Sequence, residues 1–231
     1  MKIAVITGVF DPKRDMKIEY SKYFDDYDYY CFSCDSKKIE VAAEIKRVIL
    51  PTSNMDEKYS SRRAGKIPKM LSHLLLPDYD VYVWCDATHE VAVDKEKLLS
   101  LLGENDCALF THPHRQCVYE EAKEVLAGGL DYPYLIEENV KWLKQNNFEK
   151  NQGLYEMTTF IRRNNKTSND VFSFWYSLVS KFSSRDQINF MPSAKKHSLS
   201  VSDLEGTAQI YHGGNSVFNQ IKPSLRLAQL I

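Results

Sequence analysis

Apolar residues in this chain gather in short blocks whose period switches between two and three to four, the mark of strands alternating with helices. Residues 2–7 are a continuous apolar run broken at Thr7-Gly8, and residues 27–33 (Tyr27-Asp28-Tyr29-Tyr30-Cys31-Phe32-Ser33) are dense in aromatics of high β-propensity. Ile45–Leu50 reads as a third strand, closed by Pro51. From Ser60 to Leu76 the pattern is helical, with Met70, Leu71, Leu74 and Leu75 on one face and an early interruption at Pro68. Pro77-Asp78-Tyr79-Asp80 predicts a turn, and Val81-Tyr82-Val83-Trp84-Cys85 is the strongest buried-strand signal. A helix over Lys95–Leu102, a strand over Cys107–Phe110 and helices over 120–128 and 135–146 follow, the first of these two ended by Gly128-Gly129. A strand over Met157–Arg162 and an aromatic-rich helix over 168–182 complete the series. This order predicts an α/β fold with a mostly parallel sheet flanked by helices. With 231 residues and no repeat, linker or low-complexity tract, one domain over 1–231 is expected.

Charge and cysteine usage narrow the function. Thirty basic residues against 31 acidic ones give a net charge of −1, so no global field attracts nucleic acid or an anionic membrane. The first apolar run is too short for a signal-peptide core or a membrane span. The five cysteines are odd in number and most sit in apolar or aromatic runs. They read as buried reduced thiols, which suits a cytoplasmic protein. Cys31-x-x-Cys34 has no second such pair, and Cys31 lies inside a strand, which argues against a zinc or redox motif.

Ligands of parallel α/β sheets lie beyond the carboxyl ends of the strands. Polar residues there are Thr7 and Asp11 after the first strand, Ser33 and Asp35 after the second, and Asp86 after Trp84-Cys85. An aspartate ending a buried apolar strand is costly unless it meets a metal, a base or a helix N-terminus. There is no Walker loop and no GxGxxG, so phosphate handling falls to cations or a metal. The run Arg62-Arg63-Ala64-Gly65-Lys66-Ile67-Pro68-Lys69 supplies candidates. His112-Pro113-His114, with His89, lacks the third element of a zinc site.

Several segments in order resemble the glycosyltransferase-like family first catalogued as domain of unknown function 616. They are Lys66-Ile-Pro-Lys69, Leu76-Pro-Asp-Tyr-Asp-Val-Tyr-Val-Trp-Cys-Asp86-Ala, and His114-Arg115-Gln-Cys-Val-Tyr119-Glu120-Glu121-Ala122. Gly153-Leu-Tyr-Glu156, Ile161-Arg162-Arg163, Phe174-Trp175-Tyr176 and Ser184-Arg185-Asp186-Gln187-Ile188-Asn189-Phe190 continue the series. The order is also similar to the wider GT-A set, including family 8 transferases. That resemblance implies a GT-A (Rossmann-like) fold and transfer of a sugar from a nucleotide-diphosphate sugar, UDP-type favoured, to a glycan or other hydroxyl acceptor. Strand-end position places donor contacts at Thr7, Asp11, Ser33, Asp35 and Asp86, the basic run adds Arg63, Lys66 and Lys69, and with the resemblance Gly153 and Gly214 join the donor side and His114, Arg115, Arg185 and Gln187 the acceptor side. Asp86-Ala87-Thr88 stands where these enzymes carry Asp-x-Asp, so a divalent cation, Mn²⁺ or Mg²⁺, is expected on Asp86 and His212, with Thr88 a weaker ligand than a carboxylate. Transfer also calls for a carboxylate near the anomeric carbon, Asp186 first and Glu156 second. Similarity to family 8 leans toward retention of configuration. A nucleotidyltransferase and an inactive nucleotide-sugar-binding module are the alternatives; the first lacks its usual glycine-rich loop, and Thr88 favours the second.

Overall fold

The computed structural model describes residues 1–10, 15–51, 60–209 and 213–221 and the backbone of 224–225. Its centre is β1 (Ile3–Val9), whose side chains are buried at six of seven positions, as a strand covered on both faces requires. β1 pairs in parallel with β3 (Tyr27–Ser33) on one side and β6 (Val81–Cys85) on the other, and β3 pairs in parallel with β5 (Ile45–Ile49). Beyond β6 comes β9 (Tyr155–Arg163), antiparallel to both β6 and β8 (Cys107–Thr111). β10 (Val201–Leu204) closes the far edge parallel to β8, giving the order β10-β8-β9-β6-β1-β3-β5. The expected mixed, mostly parallel sheet is present. Two small sheets add β2 (Met16–Ile18), β4 (Ile39–Val41) and β12 (Ser224–Leu225) in one, and β7 (His89–Val91) with β11 (Phe218–Gln220) in the other. These strands of two or three residues are too short to leave a periodic signal in the sequence.

Two apolar layers cover the sheet. One face carries α1 (Ser60–Met70), α4 (Val118–Ala127), α5 (Pro133–Gln145), α6 (Lys166–Lys181) and α7 (Gln187–Lys196), with Phe160, Phe172, Trp175 and Phe190 packed edge to face at their centre. The other face packs Val5, Val83, Cys85 and Phe110 against Leu98 and Leu102 of α3 (Lys95–Leu102) and against Ile18, Ile39 and Phe218 of the small sheets. The helix expected over 60–76 is two: the chain breaks at Leu71, and α2 (Ser72–Leu75) follows. Pro68, with no amide hydrogen and a ring crowding the preceding turn, weakens the last turn before that break. All five cysteines are free and buried, and burial pushes the Cys31 thiol up to about 12, which leaves it inert. Among the described residues no helix is long and apolar enough to cross a membrane.

Arg162 is fully buried. It donates to Ser72 Oγ (2.6 Å) and Asn169 Oδ1 (3.0 Å), and its guanidinium lies 4.5 and 4.4 Å from the ring centres of Tyr82 and Phe172. This one side chain ties β9 to α2 and α6. Arg162→Met is expected to lower the unfolding free energy by about 1–3 kcal/mol, because it strands the buried Ser72 hydroxyl and the half-buried Asn169 amide oxygen. Urea denaturation checks this.

Candidate active site

β1 and β6 end side by side, and their ends open into a cleft of about 520 Å³. Gly8, Val9 and Phe10 line it from β1, Trp84, Asp86 and Ala87 from β6, Arg62, Gly65, Lys66 and Lys69 from α1, and Arg185, Asp186 and Gln187 from the entry to α7. A Cβ on Gly8 would sit 3.2 Å from the Trp84 ring, so glycine lets the backbone form this wall.

Lys66 Nζ lies 2.7 Å and Lys69 Nζ 2.6 Å from the same oxygen of Asp186. All three side chains are largely buried. Asp186 occupies the N-cap position of α7 but makes no capping hydrogen bond; its side chain turns inward to the lysines. Although burial opposes its charge, the two ammonium groups hold the carboxyl well below the usual range. Asp186, the first candidate for the carboxylate near the anomeric carbon, thus faces both ammonium groups at the floor of the cleft. Burial pushes Lys66 down to about 8, against the pull of Asp186. Trp175 Nε1 donates to the Asp186 carbonyl (2.9 Å), and Asp131 Oδ2 accepts from the Ser184 amide (2.6 Å), which fixes the loop carrying Asp186. Asp86 accepts from Trp84 Nε1 (2.7 Å) at the cleft edge and lies 3.8 Å from Lys69 Nζ.

A second cavity, of about 480 Å³, adjoins the first. Thr158, Arg185 and Gln187 line both. The expected acceptor-side residues His114, Arg115, Arg185 and Gln187 meet in it, together with Glu156. Arg115 Nε donates to buried Glu121 (2.8 Å) of α4, so the Tyr-Glu-Glu-Ala segment serves to hold this arginine. The Arg185 side chain has no partner among the described residues, and its buried Nε has none.

Other expected donor contacts lie elsewhere. Thr7 is fully buried and its hydroxyl has no partner among the described residues, Ser33 Oγ accepts from Arg47 Nε (2.9 Å), and Asp35 is exposed to solvent. Arg63 points to the far side of α1, donating to the Val179 and Phe182 carbonyls. Gly153 is in the turn before β9 with φ +93°, its amide donating to the Gln116 carbonyl. Gly214 lines a separate cavity beside Glu90. Thr88 is exposed, its hydroxyl 3.0 Å from His89 Nδ1. Asp11 and His212 lie outside the described residues, so their expected roles and the meeting of Asp86 with His212 have no structural description. Of the two arginines of the basic run, Arg62 lines the cleft and Arg63 does not. Helical spacing carried the signal, because Arg62, Lys66 and Lys69 stand at i, i+4 and i+7 on one face.

A family model described as "TOD1/MUCI70, glycosyltransferase-like domain" matches residues 17–211. The chain belongs to this TOD1/MUCI70 glycosyltransferase-like family. It is 29% identical over 222 residues to the "Probable hexosyltransferase MUCI70" of Arabidopsis thaliana, a match covering 81% of this chain and 36% of that protein. The chain thus spans about a third of that relative's length. Two solved structures are also similar. Mouse xyloside xylosyltransferase 1 in its apo form has a TM-score of 0.49 at 8% identity, covering 87% of this chain and 84% of that one. The apo structure of the WbbM bifunctional glycosyltransferase has a TM-score of 0.45 at 12% identity, covering 87% and 38%. In this TOD1/MUCI70 domain the α/β architecture is the mixed, mostly parallel sheet flanked by helices that the sequence predicts.

Proposed function

We propose that this domain transfers a glycosyl group from a nucleoside-diphosphate sugar, UDP-type favoured, to the hydroxyl of a glycan or related acceptor. The observation that supports it is the convergence of Lys66 and Lys69 on one oxygen of Asp186 at the floor of the strand-end cleft. Arg62, Lys66, Lys69 and Arg185 line the cleft against Asp86 and Asp186, four cations against two carboxylates, which leaves positive charge in excess. A diphosphate seated there meets fixed cations that need little reorganisation as charge grows on the leaving group. Asp186 keeps the two ammonium groups together at its carboxylate before the donor arrives. The adjoining cavity then receives the acceptor across the wall of Thr158, Arg185 and Gln187. The preference for UDP over GDP comes from family likeness.

The described residues do not by themselves fit a divalent cation. No group of three His, Cys, Asp or Glu is placed to hold one among them, and Asp86 already faces the Trp84 indole and the Lys69 ammonium. The lysines carry phosphate charge in this reading, beside any divalent cation that Asp86 and His212 would hold. UDP affinity is expected to fall as pH rises through about 8. Lys66 is charged below that value and neutral above it, whereas a terminal phosphate has already lost its second proton near pH 6. A flat affinity profile from pH 7 to 9.5 would count against Lys66 as a phosphate contact.

Incubation with UDP-, GDP- and TDP-sugars, with release of the free nucleoside diphosphate as the signal, tests the reading as a whole. Slow donor hydrolysis supports it. Neither binding nor turnover of any donor would remove it.

A further inference from the structure

We infer that Glu156 takes the proton from the acceptor hydroxyl, working from the second cavity onto a donor held in the first. The inference rests on the donor reading above and assigns the group that the cleft itself lacks, since Asp186 is committed to the lysines.

Geometry carries the assignment. Glu156 lies near the start of β9, at the stretch where the register with β8 shifts between Ala108 and Phe110. Irregular strands of this kind re-aim side chains next to active sites. One carboxylate oxygen, Oε2, is fixed by the Ala208 amide at 2.7 Å. The other has no partner among the described residues, and the side chain lines the cavity. A base held at one oxygen and free at the other is positioned without being consumed. Thr158, two residues along the same strand, lines both cavities, so the Glu156 backbone is at most about 7 Å from the donor wall.

The surroundings agree. Burial raises the Glu156 carboxyl above its usual range, and the Ala208 amide and the charge of His114 oppose that rise only in part. The groups facing it across the cavity are His112, His114 and Arg115 from the β8–α4 connection, Arg185 before α7, and Glu121 and Glu124 of α4. Glu121 is occupied by Arg115. The step balances within these parts. The acceptor O–H bond breaks, its proton passes to the Glu156 carboxylate, and the acceptor oxygen bonds to the anomeric carbon. The bond from that carbon to the diphosphate oxygen breaks, and its electron pair leaves with the nucleoside diphosphate facing Lys66, Lys69 and Arg185.

Glu156→Gln tests this, because glutamine keeps an oxygen for the Ala208 amide while losing the charge. The probe reaction is hydrolysis of the UDP-sugar the wild type uses, with water in the acceptor's place, alongside transfer to a panel of p-nitrophenyl glycosides. Turnover is expected to fall by about two to three orders of magnitude. UDP affinity should stay within about twofold, and the acidic limb of the kcat profile should disappear. Glu156→Asp, which keeps the charge on a shorter arm, should restore part of the rate and the limb. A Glu156→Gln enzyme that binds UDP and turns over within tenfold of wild type, with its acidic limb intact, overturns the inference and leaves the donor site standing. A variant that loses UDP binding along with turnover also overturns it, since Glu156 would then be supporting the fold. Wild type that binds no UDP-sugar overturns the donor reading and this inference with it.

Discussion

Lys69→Met is expected to weaken UDP binding by ten- to a hundredfold and to slow transfer by at least as much. Lys69 is the more deeply placed of the two lysines, 2.6 Å from Asp186 and 5.5 Å from the centre of the Trp84 ring. A charge-assisted hydrogen bond to a phosphate oxygen is worth about 1.5–3 kcal/mol, and each 1.4 kcal/mol is tenfold in Kd. Methionine preserves most of the volume of the stem, and Lys66 still neutralises Asp186, so the fold should survive. Calorimetric titration with UDP, paired with a thermal melt, separates lost contact from lost structure. Wild-type affinity in a folded Lys69→Met protein would remove the lysine pair from the donor site.

The second large effect belongs to Asp186→Asn. If the residue merely capped α7, asparagine would replace it at little cost. Its side chain makes no capping bond, however, and instead accepts from two buried ammonium groups. Removing one partner from a buried ion pair costs about 3–5 kcal/mol, and here both lysines lose their counter-charge at once. Transfer is expected to fall a hundredfold or more as the lysines separate. The pH dependence follows from the sign of the shift. Asp186 titrates lower in the folded protein than in the unfolded chain. Its contribution is therefore complete above the unfolded value of about 4 and declines as the pH falls below it. The stability gap between wild type and variant should be full at pH 7 and narrower at pH 3, measured by urea unfolding. A gap under about 1 kcal/mol at pH 7 would return Asp186 to the role of a plain helix start.

Glu156 and Asp186 show how far local reading reaches. Both were legible as candidate carboxylates, because each sits where a strand or helix begins inside a segment resembling the family. What each of the two faces in the folded chain was not legible. That depends on Lys66 and Lys69, 120 and 117 positions before Asp186, and on the Ala208 amide, 52 positions after Glu156. The same holds for Thr7 and Ser33. Position at a strand end is readable from apolar runs, but the direction of a side chain there depends on neighbours such as Arg47.

The sequence by itself determined the alternation of strands and helices, the central place of β1 and β6, the buried state of the cysteines and the cation-rich face of α1. Each of these follows from burial, and burial writes a period into the chain: continuous for a strand covered on both faces, three to four for a helix on a sheet. Tertiary structure alone decided that β9 runs antiparallel between β6 and β8, that the two cavities share a wall, and that Asp186 faces two lysines while Glu156 meets the Ala208 amide. Those outcomes depend on distances between residues far apart in the chain, and a charge acts over a few ångströms of space regardless of how many residues separate it from its partner.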